Sequence, residues 1–245
     1  MKFGIGQSVR RKEDDKFLTG SGCYNDDINF KNQVYMYIVR SPYAFAKILN
    51  INYEKAKEYH GVLEILSNDT IKNMNINPMY PGFKVTNKDG TEMLDTFRNI
   101  LANQIVRYVG EPVLAIIGQT YEIAEEAADL IDIEYEEMQS TTNLSDAIKN
   151  EAPTVREELS DNICFDWELG DIKQAKRALK DSKYIISIEL VNNRLIPNPI
   201  ECRSSIGQYN LKSDTYNLYC SSQGVHSLKK KLSNIFNIQE EKLNV

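Results

Sequence analysis

The sequence predicts an α+β protein in two domains, and three observations predict it. Across residues 112–135 an apolar run, a Glu/Ala-rich stretch of helical period and an alternating Ile/Tyr stretch follow one another. Residues 205–209 and 216–220 are strand-like runs around the polar turn 210–215, and an amphipathic helical pattern follows them. Between these regions residues 138–160 read as a connecting segment, and the domain boundary falls there.

Taken in order, the first thirty or so residues are polar and glycine-rich, with Gly20, Gly22 and Asn25 as punctuation, so an extended arm with short strands is expected. Residues 34–39 (Val-Tyr-Met-Tyr-Ile-Val) read as a buried strand that Pro42 ends. Residues 48–66 read as strand, short helix (53–59) and strand (62–66), with Gly61 as the stop signal. Residues 67–103, rich in Asn, Asp, Pro and Gly, read as a long irregular excursion. Order returns at Val106, and residues 112–117 form a short apolar strand.

Thr120 is placed to cap a helix over 121–130, with Glu122, Glu125 and Glu126 where the helix dipole favours negative charge. Ile123, Ala127 and Leu130 are expected to face the core. Ile131, Ile133 and Tyr135 then alternate with acidic residues as a half-buried strand. The expectation is one helix packed on a single sheet that holds both flanking strands. Asp171 caps a helix through Leu179, and residues 184–191 alternate as a strand with Ile186, Ile188 and Leu190 on one side. Val225, Leu228, Leu232 and Ile235 mark the amphipathic helix, and Asn237 fits its C-terminal end. Leu243-Asn244-Val245 opens a further strand, and a chain that stops on a strand suggests truncation.

Composition narrows the function. The 245 residues are 42% hydrophobic and 26% charged, with a formal charge of -6 and a pI near 5.2, which argues against a nucleic-acid partner. Lys229-Lys230-Lys231 is read as a solvated helix face. Two histidines only, His60 and His226, argue against a multi-histidine metal site. Cys23, Cys164, Cys202 and Cys220 form no C-x-x-C pair, match neither zinc nor iron–sulfur spacings, and read as small buried hydrophobes in a reducing compartment. The N-terminus lacks the apolar stretch of a signal peptide and no run is long enough to span a membrane, so a cytoplasmic location is expected.

Motif chemistry is sparse. Gly4-Ile5-Gly6 and Gly20-Ser21-Gly22 lack the third glycine and preceding strand of a dinucleotide fingerprint. Neither a phosphate loop nor a nucleophile–base set is present, and adjacent acidic pairs such as Glu125–Glu126 point different ways. No catalytic residue and no metal ligand is assigned. The segment Ser221-Ser222-Gln223-Gly224-Val225-His226 is different, because it joins a strand end to a helix start, a common ligand position in α/β architecture. Gln223 offers a neutral donor and a neutral acceptor, suited to an oxo group or an amide edge. His226 reads equally as a plain surface or core residue.

Five ordered blocks then resemble one family. Ile5-Gly6-Gln7-Ser8-Val9-Arg10-Arg11 through Phe17-Leu18-Thr19-Gly20 and Tyr24-Asn25-Asp26-Asp27-Ile28 is similar to the opening of the xanthine dehydrogenase/aerobic carbon monoxide dehydrogenase-type molybdenum hydroxylase large subunit. Arg40-Ser41-Pro42-Tyr43-Ala44-Phe45-Ala46-Lys47-Ile48 resembles its R-S-P-H-A-H-A-R-I. Val109-Gly110-Glu111-Pro112-Val113 with the Glu/Ala helix resembles the next block. Asn193 to Arg203 resembles N-x-R-x-x-P-x-P-M-E-x-R, and Ser222-Gln223-Gly224-Val225-His226 resembles S-T-Q-x-P-H. Tyr43 and Phe45 stand where the family has histidines, and Val225 where it has proline.

The resemblance implies an N-terminal arm (1–18), an α/β hammerhead domain (19–137), a linker (138–160) and the truncated start of a molybdopterin-binding domain (161–245). It implies that Gln223 is the cofactor-binding residue, hydrogen-bonding an oxygen ligand of molybdenum in a molybdenum–molybdopterin cofactor of the complete enzyme. It also implies an FAD-binding medium subunit and an iron–sulfur small subunit as partners. The family's glycine-rich G-G-G-F-G segment, its general-base glutamate and its substrate-discriminating loop would lie beyond Val245. Two functional expectations follow. One is the N-terminal portion of an oxidoreductase, inactive alone; the other is a non-catalytic module that only packs against partner subunits.

Overall fold

The computed structural model describes residues 4–6 and 8–245. Met1 to Phe3, part of the expected arm, and Gln7 of the opening motif lie outside the described residues. Two compact units result, one of Val34–Leu195 with Asn234–Asn237, the other of Met1–Gln33, Ile196–Ser233 and Ile238–Val245.

The larger unit holds two three-stranded antiparallel sheets. Its strands are β1 (Tyr35–Arg40), β2 (Ala46–Asn52), β3 (Val62–Leu66), β4 (Ile105–Val106), β5 (Pro112–Gly118) and β6 (Asp132–Glu137). One sheet runs β1-β5-β3 and the other β4-β2-β6. In the first, Tyr37 pairs Ile116 and Ile65 pairs Ile116 from the other side. The apolar run Val-Leu-Ala-Ile-Ile gives β5 buried residues on both faces, as a central strand requires. Leu114 and Ile116 enter the main core with Ala46, Val106, Ala124 and Ala127, whereas Ala115 joins a second cluster with Ile71 and Leu101.

Here α1 denotes Asp14–Leu18, α2 Glu54–Lys57, α3 Asn68–Asn73 and α4 Tyr121–Ala128. Thr120 caps α4, its side chain accepting from the Ile123 N–H. The helix packs on β1, β5 and β3. The single expected helix is therefore present, but its flanking strands are not in one sheet: β5 belongs to the first sheet and β6 to the second. Periodicity reports which face of a strand is buried, and carries no information on which strand it pairs with. The core stripe of α4 also differs from expectation. Ala124 and Ala127 are fully buried, but Leu130 is 39% exposed, because the helix ends at Ala128 and the helical phase is lost beyond it. Gly61 takes φ +90 where α2 turns into β3, the left-handed region that glycine enters without penalty.

After β6, α5 (Leu144–Ala147) and α6 (Ile172–Asp181) are the only helices before the hairpin among the described residues. Asp171 caps α6 as expected, accepting from the Gln174 N–H at 2.9 Å. The strand expected over 184–191 does not form: the residues are without regular structure and exposed, Ile186 at 93%. An isolated strand leaves its backbone groups unpaired, so strand propensity alone cannot hold one.

The smaller unit is a three-stranded sheet of β7 (Ser205–Asn210), β8 (Thr215–Cys220) and β9 (Leu243–Asn244), with α7 (Val225–Phe236) between β8 and β9. The hairpin forms as expected, with Tyr209 opposite Tyr216, and β9 pairs parallel to β8. Asn237 ends α7 with φ +53, a left-handed cap of the kind asparagine supplies. Among its described residues the N-terminal segment forms no strand. It contains α1 and a 3-10 turn at Asn25–Asp27, with the Phe17 and Tyr24 rings stacked 5.5 Å apart. Acidic Asp14 and Asp15 at the start of α1 and Lys16 in its last turn suit the helix dipole, which the strand reading ignored. The cysteines also depart from expectation. Cys23 and Cys202 are exposed and Cys164 and Cys220 half-buried, since all four sit on loops or at a strand end.

Candidate functional site

Gln223 lies in the loop 221–224 that leaves the C-terminal end of β8 and enters α7. Hydrophobic pairing across the hairpin fixes the strand end, and the Ser222 hydroxyl shapes the loop by accepting from the Gly224 N–H at 3.1 Å. The Gly224 carbonyl accepts from the Leu228 N–H at 3.0 Å and from the Ser227 hydroxyl at 2.9 Å, which starts the helix. Because β9 returns parallel to β8, the loop stands at the carboxyl end of a parallel pair, the edge where α/β layers place ligands. The Gln223 side chain is exposed, and among the described residues its carboxamide makes no intramolecular hydrogen bond. The sequence-predicted residue is thus at a strand-to-helix junction with both amide functions available. His226 is likewise exposed in the first turn of α7, and Lys230 and Lys231 face solvent.

A contact that sequence reading missed ties this unit together. Asn25, only 6% exposed, donates its backbone N–H to Glu201 Oε1 at 3.2 Å and its side-chain amide to Ser204 Oγ at 3.1 Å. Phe30 packs on Tyr219 with ring centroids 5.3 Å apart. The segment before β1 therefore braces the strands that carry the Gln223 loop. Asn25 was legible only as a turn residue, since its partners lie far off in sequence.

The larger unit holds a separate cleft of about 900 Å³ that sequence reading also missed. Arg107 donates to the Val155 carbonyl at 3.0 Å, Arg156 donates to the Phe97 carbonyl and its guanidinium lies 5.2 Å over the Phe97 ring. Both arginines are spent on stitching residues 155–156 to the cleft wall. Glu111 accepts from the Arg107 backbone N–H, and burial raises its carboxyl above the ordinary range despite that bond and the nearby arginines. The conformational signal for this turn was Gly110, at φ +87, directly before Glu111.

Residues 19–139 match the family described as the aldehyde oxidase and xanthine dehydrogenase a/b hammerhead domain, and residues 155–245 match the molybdopterin cofactor-binding domain. The chain belongs to the aldehyde oxidase and xanthine dehydrogenase family. It is 30% identical to the nicotine 6-hydroxylase large subunit of Paenarthrobacter nicotinovorans over 98% of its own length and 29% of that protein. It is 24% identical to the carbon monoxide dehydrogenase large chain of Afipia carboxidovorans, over 99% of this chain and 30% of that one. Among solved structures, quinoline 2-oxidoreductase from Pseudomonas putida 86 superposes with a TM-score of 0.80 at 26% identity, covering 99% of this chain and 30% of that chain. The Cu,Mo-CO dehydrogenase superposes with a TM-score of 0.81 at 23% identity and shares the fold. The chain spans about 30% of the length of each of these relatives. The fold is thus an α/β hammerhead followed by part of a molybdopterin-binding domain. No described helix is long and apolar enough to cross a membrane.

The family implies a molybdenum–molybdopterin group, and the residues present fit one edge of it. The exposed carboxamide of Gln223, two residues before α7 begins, can donate to or accept from oxygen atoms. Among the described residues no cluster of three or more His, Cys, Asp or Glu is placed to hold a metal directly.

Proposed function

We propose that this chain provides the hammerhead domain and one wall of the cofactor site in the large subunit of a molybdenum-dependent hydroxylase, with Gln223 as the cofactor-contacting residue. One observation carries the reading: Gln223 lies within the molybdopterin-binding match and holds an exposed, unengaged amide at the β8–α7 junction. When bound, such a cofactor supplies the redox chemistry of substrate oxidation. The contribution of Gln223 is to fix an oxygen by a neutral hydrogen bond that adds no charge, and that of Asn25, Glu201 and Ser204 is to brace the segment entering β7.

The reading extends to partners and place. The relatives are named as a large subunit, a large chain and a complex subunit, which supports assembly with an FAD-binding medium subunit and an iron–sulfur small subunit. Four free cysteines support work in the reducing cytoplasm.

Alone, the 245-residue chain is inactive, because one exposed amide cannot replace the convergent polar groups of an enclosed cofactor pocket. Metal analysis of the purified chain is expected to find molybdenum far below stoichiometric; stoichiometric molybdenum with hydroxylase activity overturns this. In the assembled enzyme, Gln223→Ala should slow turnover at least about 10-fold, the loss of one hydrogen bond of roughly 1.4 kcal/mol, with unchanged far-UV circular dichroism. Turnover equal to wild type would reduce Gln223 to a structural residue.

A further inference from the structure

Asn25 is the one buried residue of the block Tyr24-Asn25-Asp26-Asp27-Ile28. The turn that presents it closes locally, with Asp27 accepting from the Tyr24 N–H at 2.8 Å. A turn asparagine ordinarily serves its own backbone or water, and burial of an amide requires a partner. Asn25 spends both of its donors 176 and 179 residues away, the backbone N–H on Glu201 Oε1 and the side-chain amide on Ser204 Oγ. Ser204 directly precedes β7, whose first residue Ser205 pairs with Cys220, the last residue of β8. Ile206 pairs with Tyr219, on which Phe30 packs. Residues 25 and 30 therefore grip adjacent strands at the end from which the Gln223 loop departs.

The loop is fixed within itself. The Ser222 hydroxyl accepts from the Gly224 N–H across Gln223, and the Gly224 carbonyl accepts from the Ser227 hydroxyl and the Leu228 N–H. Position 224 has no room to spare, since a Cβ there would lie 2.8 Å from Ser227 Oγ. With its interior set, the loop stands where the end of β8 stands. A hydrogen-bonding group serves its site only when held to within about 0.5 Å, so whatever fixes the end of β8 controls the reach of the carboxamide. We infer that Asn25 is a positioning residue for the Gln223 contact, holding the β7–β8 end through Ser204 and Glu201. The inference rests on the proposed function above and deepens it, giving residues 24–30 a share in the geometry of the cofactor wall. Asn25 acts through the strands: its amide is buried against Ser204 and is not turned toward a ligand.

Amide hydrogen exchange in the full 245-residue chain, resolved by nuclear magnetic resonance, is the first test. Asn25→Ala should speed exchange of the amides of residues 218–224 about 10-fold, the opening expected from one lost hydrogen bond. The amides of Tyr209 and Tyr216, at the other end of the hairpin, should keep their wild-type rates. Ser204→Ala should act alike, and the double variant no more than either single one, because the same bond is lost in all three. Ser204→Thr keeps the hydroxyl and should keep the wild-type rates. Loop rates unmoved by Asn25→Ala overturn the inference, as does an acceleration spread evenly along the hairpin, which would make Asn25 a general stabiliser. In the assembled enzyme, Asn25→Ala should slow turnover about 3- to 10-fold and add nothing in a Gln223→Ala background. Additive losses overturn the inference and leave the family reading standing. Failure of that reading looks different: Gln223→Ala then leaves turnover untouched while the loop amides still respond to Asn25→Ala, and the contact that Asn25 would position is gone.

Discussion

Leu114 sits at 0% exposure in β5, between β1 and β3, and its replacement by alanine gives a calculable cost. Three carbon groups leave the core, a transfer loss of about 2.4 kcal/mol at roughly 0.8 kcal/mol per group. Pairing on both sides of β5 prevents the strand from collapsing into the void, so a cavity term raises the total to about 3–4 kcal/mol. Ile186→Ala is the matched control, since it removes comparable apolar bulk from a side chain that is 93% exposed and should cost no more than about 0.5 kcal/mol. Urea unfolding followed by far-UV circular dichroism reads both. With slopes of about 1–3 kcal/mol per molar, Leu114→Ala should lower the midpoint by at least about 1 M, while Ile186→Ala leaves it in place. Equal midpoints for the two variants would refute the assignment of β5 as the centre of the core and of 184–191 as uncovered.

Glu111 gives a pH prediction. Burial raises its carboxyl, so the folded chain binds that proton more tightly than the unfolded one. Its contribution is therefore fully present below the ordinary carboxylate pKa and is lost as pH rises through the raised value. Glu111→Gln stays neutral and should flatten that fall in unfolding midpoint; an unchanged or steeper fall would count against burial as the cause. Gly61→Ala should destabilise by about 1–3 kcal/mol, because φ +90 is strained for alanine and the new Cβ would lie 2.8 Å from Ile123 Cδ1. A thermal midpoint equal to wild type would contradict this. Thr120→Ala removes the cap of α4 and should cost about 1 kcal/mol in urea unfolding, with Thr120→Ser largely restoring it; an alanine variant as stable as the serine one would remove the cap's role.

The site was legible in proportion to how local its chemistry is. Gln223 could be placed at a strand-to-helix junction because the hairpin turn at 210–215 and the Val225, Leu228, Leu232 spacing are both short-range patterns. The bracing of that unit by Asn25 was not legible, since its bonds reach to Glu201 and Ser204. The cleft was hidden for the same reason. Arg107 and Arg156 look like ordinary surface cations in sequence, and only folding brings them to the Val155 and Phe97 carbonyls.

By itself the sequence determined which stretches are helices and strands wherever period, cap and turn agree: β1, β5, β6, the hairpin, α6 under Asp171, α7 up to Asn237. It also determined the family, through five ordered blocks. Tertiary structure alone decided that β5 and β6 part into different sheets, that α4 buries Ala124 in place of Leu130, and that Phe30 packs on Tyr219 of β8. It also decided that 184–191, patterned as a strand, stays open. Periodicity encodes which face a residue turns toward apolar surroundings, an adjacent-residue property. Strand pairing is a contest between backbone edges distant in sequence, and a strand with no edge to join does not form, whatever its side chains prefer.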